Sequence, residues 1–153
     1  MATSALPAFT NAVISGLGSY SSLSGVRVFD GIEIDYSYPG DAIAVGHDGN
    51  FDSDEVTAGS VRQEYKQLGA ISKFEDGSLS CFLWSANGST NLTTCRARAF
   101  QLLGYVENVI RADVSFGGVV MYSGLDSSSM FYRQTTQGAG VGINFTITYK
   151  AKI

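Results

Sequence analysis

The chain has 153 residues, 44% hydrophobic and 16% charged, with a net charge of −4. A single domain of that size buries roughly 68–70% of its extended surface and needs no metal or disulfide to be stable. No stretch approaches the ~18 apolar residues of a membrane-crossing helix, and an isoelectric point near 4.8 disfavours a nucleic-acid reader.

The N-terminal "MATSALPAF" has no basic region ahead of a long apolar run, so it reads as no signal peptide and the chain as a cytosolic product. In "LPAFTNAVISGL", Leu6, Phe9, Val13 and Leu17 form one apolar stripe of a short helix. Ser4 is the expected cap, Pro7 fits the first turn, and Gly16 and Gly18 are expected to end it. "GVRVFDG" and "DAIAVG" read as short strands, the second apolar on both faces and therefore central. From Asp30 to Glu55 there are eight acids and no Lys or Arg, whereas the rest of the chain carries ten basic and six acidic residues. That polarity suits copies meeting head to tail, although solvated faces give the same pattern.

"GSVRQEYKQLGAI" and "GSLSCFLWSA" flank "FEDG", and Asp76-Gly77 is a hairpin signal, so a long antiparallel pair turning there is expected. Leu79, Cys81 and Leu83 share one face of its second strand, and Phe82 and Trp84 the other. A helix or a neighbouring subunit has to cover that second face. "STNLTTCRARAFQLLGYVENVIRAD" is the strongest helix, with Leu92, Cys95, Ala99, Leu102, Val106 and Val109 on its apolar face, Ser89 or Thr90 as cap, and "FGG" at 116–118 as stop. Two strands follow around Gln137-Gly138, and from Val141 to Ile153 the apolar and polar positions alternate throughout. The prediction is one α+β domain over 1–153: a mixed or antiparallel sheet with a long hairpin and two helices packed on one face.

The search for chemistry finds little. Asp48, Asn50, Asp52 and Asp54 alternate like early calcium ligands, but Ser53 stands where the loop needs glycine and Gly59 where it needs a bidentate Glu. Cys81 and Cys95 lie fourteen residues apart and read as reduced, buried thiols. With the single histidine, His47, they make no zinc set, and His47 is expected at a loop or strand end. "GAGVG" at 138–142 opens a strand instead of following one, so it cradles no phosphate. The acceptor sequences at Asn87, Asn91 and Asn144 read as chance. No enzyme and no cofactor is expected.

Taken in order, "LPAFTNAVISGL", "GVRVFDG", "VGHDG" with "EVTAGS", "CFLW", "RARAFQLL…VENVIRAD" and "QGAGVGINFTITYKAKI" resemble the tail terminator proteins of long-tailed phages, especially those infecting actinobacteria. Tyr65 stands where that family has Trp in "QEW". The resemblance implies a homo-hexameric ring in the virion, assembled in the host cytoplasm. The ring would cap the head-proximal end of the tail tube, stop its polymerisation and dock to the head–neck connector. Its partners would be the major tail tube protein and the stopper protein, with genomic DNA passing through unbound. Asp48, Asp52, Asp54 and Glu55 are then expected at the channel or axial end, and Arg62, Tyr65, Lys66, Phe82 and Trp84 at the subunit interface. The alternatives are another head–tail connector or tube subunit, or a calcium-dependent carbohydrate-binding module.

Overall fold

A computed structural model describes residues 2–31, 40–50, 54–86, 91–135 and 138–153. In chain order the elements are α1 (Leu6–Ser19), β1 (Arg27–Asp30), β2 (Asp41–Val45), β3 (Gly59–Tyr65), β4 (Lys73–Ala86), α2 (Leu92–Ala112), β5 (Tyr122–Thr135) and β6 (Gly138–Lys152). One mixed sheet runs β1-β2-β4-β6-β5, with β3 also paired to β4. Only β1 and β2 are parallel; every other pair is antiparallel. Both helices pack on the same face, which is the α+β architecture expected.

The helix-side core is built from the predicted periodicities. Phe9, Val13 and Leu17 of α1 and Cys95, Ala99, Leu102, Leu103, Val106 and Ile110 of α2 are buried. They meet Leu79, Cys81 and Leu83 of β4 and the odd-numbered residues Val141 to Ala151 of β6. Burying each large apolar side chain there contributes about 1.5–3 kcal/mol. Leu92 lies outside this core: at the first position of α2 its side chain stays exposed. Helix α1 continues past Gly16 and Gly18 to Ser19, because Gly16 lets it approach Val109 and Phe116 at the α2 end, where a Cβ would sit 3.3 Å from Val109. Its N-cap is Ala5, not Ser4, yet the Ser4 hydroxyl still accepts from the Leu6 N–H at 3.1 Å. Asn91 caps α2, its side-chain oxygen accepting from the N–H groups of Thr93 and Thr94; Ser89 and Thr90 lie outside the described residues. After α2 the chain turns at Phe116, Gly117 and Gly118, all at positive φ, tied by the Asp113 carboxylate.

The hairpin is real but turns elsewhere. Asp76 and Gly77 lie inside β4, opposite Arg62 and Val61, and the reversal falls between Tyr65 and Lys73, with Gly69 at φ 80. Gly77 serves packing: a Cβ there would overlap the ring of Tyr149, its direct partner across β6. The ring lies over the glycine, and that lets its hydroxyl reach inward to Glu75. Gly140 beneath Trp84 repeats the device. One edge of β4 is shared end to end, with β2 along residues 81–85 and β3 along 73–79. The acidic segment between β2 and β3 therefore leaves the sheet at its midpoint.

Candidate assembly surfaces

The acidic loop begins at Gly46 and His47, whose N–H groups both bond to the Ser80 carbonyl of β4. His47 is a buried strand-end residue whose Nδ1 accepts from the Gly49 N–H at 2.8 Å, so the ring is held neutral at that nitrogen. Burial lowers its pKa, partly offset by the Asp48 charge. Asp48 is an internal tie: Oδ1 accepts from the Asn50 N–H and Oδ2 from the Thr57 N–H, both at 3.0 Å. Slight burial works against ionisation there, but these amides and His47 outweigh it and lower the pKa. Both carboxylate oxygens of Asp48 are thus engaged by the backbone. Among the described residues no three His, Cys, Asp or Glu side chains lie together as a metal set. Asp54 and Glu55 are exposed, and Asp52 lies outside the described residues. Asp41, further back in the segment, is neutralised by Arg98 at 3.0 Å and accepts from the Ser85 hydroxyl at 2.7 Å.

Gly49, at φ 80, brings the loop over the helix-free face of the sheet, where a Cβ would overlap the Asn144 amide. The Asn144 Oδ1 is buried with no hydrogen-bond partner among the described residues. It borders a cavity of about 290 Å³ lined by Asp48, Ser80, Ser127, Ser129 and Thr146, ample and polar enough for water. The Asn144 acceptor sequence lies in β6 and that of Asn91 caps α2.

The expected interface residues separate into two groups. Phe82 and Trp84 are fully buried within the chain itself, in a second cluster with Phe29, Ala42 and Ala44 and with Phe131 packed against it. Phe131 stacks on Phe82 and the His47 ring lies tilted against it, with ring centroids 5.6 and 5.9 Å away. This corrects the expectation that Phe82 and Trp84 face a neighbour: among the described residues no helix covers them, but their own chain buries both. Arg62, Tyr65 and Lys66 are exposed on the hairpin. Arg62 pairs with Glu64 beside it, and Lys66 lies 6.0 Å from the Phe74 ring.

Two features were absent from the sequence reading. Glu75 is fully buried under α1; Oε1 accepts from the Ser4 hydroxyl (3.0 Å), the Ala5 N–H (2.9 Å) and the Tyr149 hydroxyl (2.7 Å), and Oε2 accepts from Gln63 Nε2 (2.7 Å). Burial alone would raise its pKa, but these four donors lower it. Burial and the adjacent Glu75 push the Tyr149 phenol upward. The second feature is the hairpin tip, where Leu68 and Ile71 stand 104% and 82% exposed. The signal for Glu75 was present, since it shares parity with Leu79, Cys81 and Leu83.

Cys81 and Cys95 are free and buried, and burial pushes the Cys81 thiol up to about 12. No helix among the described residues is long and apolar enough to cross a membrane. The chain matches no protein-family model and no curated protein significantly.

Proposed function

We propose that this chain is a tail terminator subunit of a long-tailed phage. Six copies form a ring that caps the head-proximal end of the tail tube, stops its growth and docks to the neck. The ordered resemblance along nearly the whole chain carries the reading. In support, the segments that bear it are the framework of the fold: α1, β1, the β2 exit with the β3 entry, the centre of β4, α2 and β6. The function is binding without turnover, through a heterologous contact repeated until it closes.

The acidic loop fits this role. Asp54 and Glu55 are exposed, and Asp48 ties the start of the loop to its end at Thr57. Carboxylates facing the channel repel phosphates and leave DNA free to slide, where basic residues would hold it. Asp52 belongs to the same stretch of sequence. Native mass spectrometry over a concentration series, with and without calcium, tests the reading. A calcium-independent closed hexamer is the expected result. An open-ended ladder would point to a tube subunit instead, and a monomer taking up calcium stoichiometrically to a carbohydrate-binding module.

A further inference from the structure

Among the described residues the lower half of the sheet ends in two open flanks, β3 on one side and β5 on the other, with β4 and β6 between them. On the β3 flank the hairpin tip carries Tyr65, Leu68 and Ile71, 65%, 104% and 82% exposed. Leu68 and Ile71 form an apolar prong beyond the last β3–β4 pair, Tyr65–Lys73, with Tyr65 at its base. Solvent-facing apolar clusters of this kind mark interaction sites more often than scattered single residues do. On the β5 flank, at the same end of the sheet, Val114, Met121 and Tyr122 are exposed together. Their proximity is fixed by the Ser123 hydroxyl donating to the Val114 carbonyl at 2.8 Å and by the Met121 N–H bonding to the Lys150 carbonyl.

We infer that the prong of one copy seats on the β5 flank of the next, against Val114, Met121 and Tyr122. The inference rests on the self-assembling reading above and names the contact. Three observations select a second copy as the occupant. The two patches lie on opposite flanks at one level of the sheet, which a head-to-tail contact requires and a two-fold contact does not. Their free charges are complementary: Lys66 accompanies the prong, while exposed Asp113 and Asp126 flank the receiving patch, whose nearby cations Lys150 and Arg111 are paired with Asp76 and Glu107. A groove of about 590 Å³ on the helix-free face runs from Arg62 across to Tyr122, so it opens at the receiving patch. The prong alone is smaller than the ~800 Å² per partner of a stable interface, so the groove mouth and the β5 edge complete the contact. At Asp126 a register irregularity interrupts β5, which disfavours an unbroken strand-to-strand ladder and leaves side-chain docking as the main contact.

The test uses the full chain. Leu68→Asp with Ile71→Asp on the prong, and separately Met121→Asp on the patch, are each expected to weaken association at least tenfold in sedimentation and native mass spectrometry. The melting temperature of the monomer should stay within about 2–3 °C of wild type, since all three positions are exposed. A chain carrying Leu68→Cys mixed with one carrying Met121→Cys is expected to give a disulfide-linked heterodimer under mild oxidation, the native thiols being buried. Rings that persist in Leu68→Asp/Ile71→Asp, or a mixture that fails to cross-link, would overturn this contact and leave the assembly reading standing. A wild-type chain monomeric at every concentration would overturn both.

Discussion

Replacing Glu75 by Gln keeps the shape and removes the charge that holds α1 to the hairpin. The wild-type carboxylate collects three donors on one oxygen and a fourth on the other. Hydrogen bonds to a charged acceptor contribute roughly 1.5–3 kcal/mol and neutral ones about 0.5–1.5, so neutralising Oε1 weakens three bonds by about 1 kcal/mol each. The new amide NH₂ also faces the Gln63 NH₂, a donor against a donor. Turning Gln63 over would break its bond to the Thr3 carbonyl. Gln is cheaper than a carboxylate to bury, which offsets part of the loss. The net expectation is a destabilisation of about 2–3 kcal/mol, or a fall in melting temperature of roughly 5–10 °C for a domain of this length. The pH dependence carries the sharper signature. Because the folded pKa of Glu75 is lowered, its stabilisation is complete above the unfolded value of about 4.5 and is lost as pH falls through the folded one. Urea titrations of wild type and Glu75→Gln, followed by the emission of the single tryptophan, should differ by a constant amount from pH 7 to 5 and converge below about 4.5. Equal stability at pH 7, or a gap that is unchanged at pH 3, would refute the clamp.

His47 is expected to open an earlier acid window: with its folded pKa lowered by burial, stability falls as pH drops below about 6.5, and His47→Gln should flatten the profile between pH 7 and 5. Gly140→Ala forces a methyl into the Trp84 ring and should cost about 1–3 kcal/mol and perturb the tryptophan emission of the folded state; an unchanged spectrum with unchanged stability would count against the packing. Both thiols should be silent to a thiol reagent in native buffer and react together only on unfolding, whereas rapid labelling of Cys81 would contradict its burial. Asp54→Lys with Glu55→Lys should leave the melting temperature within about 2 °C, since both side chains are exposed, while conferring salt-sensitive DNA retention; gel-shift and filter-binding assays showing no added affinity would count against a channel-facing loop.

The elements whose residues bury one face were legible. The spacing in α1 and α2 and the strict alternation of β6 depend on local geometry that any packed core enforces, and Phe9, Val13, Leu102, Val106, Ile143 and Ile147 all fall inside. Glycine was harder to read, because it punctuates turns and also makes room for rings. Asp76-Gly77 looks like a turn in one strand; only the cross-strand partner Tyr149, 72 positions away in sequence, shows that Gly77 is a packing site. The true reversal carried a weaker mark, Gly69, between runs whose charges match across the pair, Arg62 opposite Asp76. Phe82 and Trp84 were legible as a second apolar face. What covers them was not, since His47 and Phe131 arrive from distant segments. Arg62, Tyr65 and Lys66 were placed on the hairpin and are exposed there, while the most exposed tip residues, Leu68 and Ile71, were absorbed into a presumed strand.

The division of β4 between β2 and β3 ties these features together. Because the two strands share one edge, the segment joining them must leave the sheet at mid-height, and β3 must run on to the far end and turn back beyond it. One topological choice thus sets the acidic loop beside the helix-free face and sends the apolar prong out past the sheet. Glu75 sits where this arrangement is anchored, since its donors come from the start of α1, from β3 and from β6. Loosening that clamp should release the prong before it unfolds the helix-side core, because Leu68 and Ile71 make no buried contacts of their own. In Glu75→Gln, assembly should therefore weaken under conditions where the tryptophan emission is still native. Assembly and emission lost together would mean that prong and core unfold as one unit.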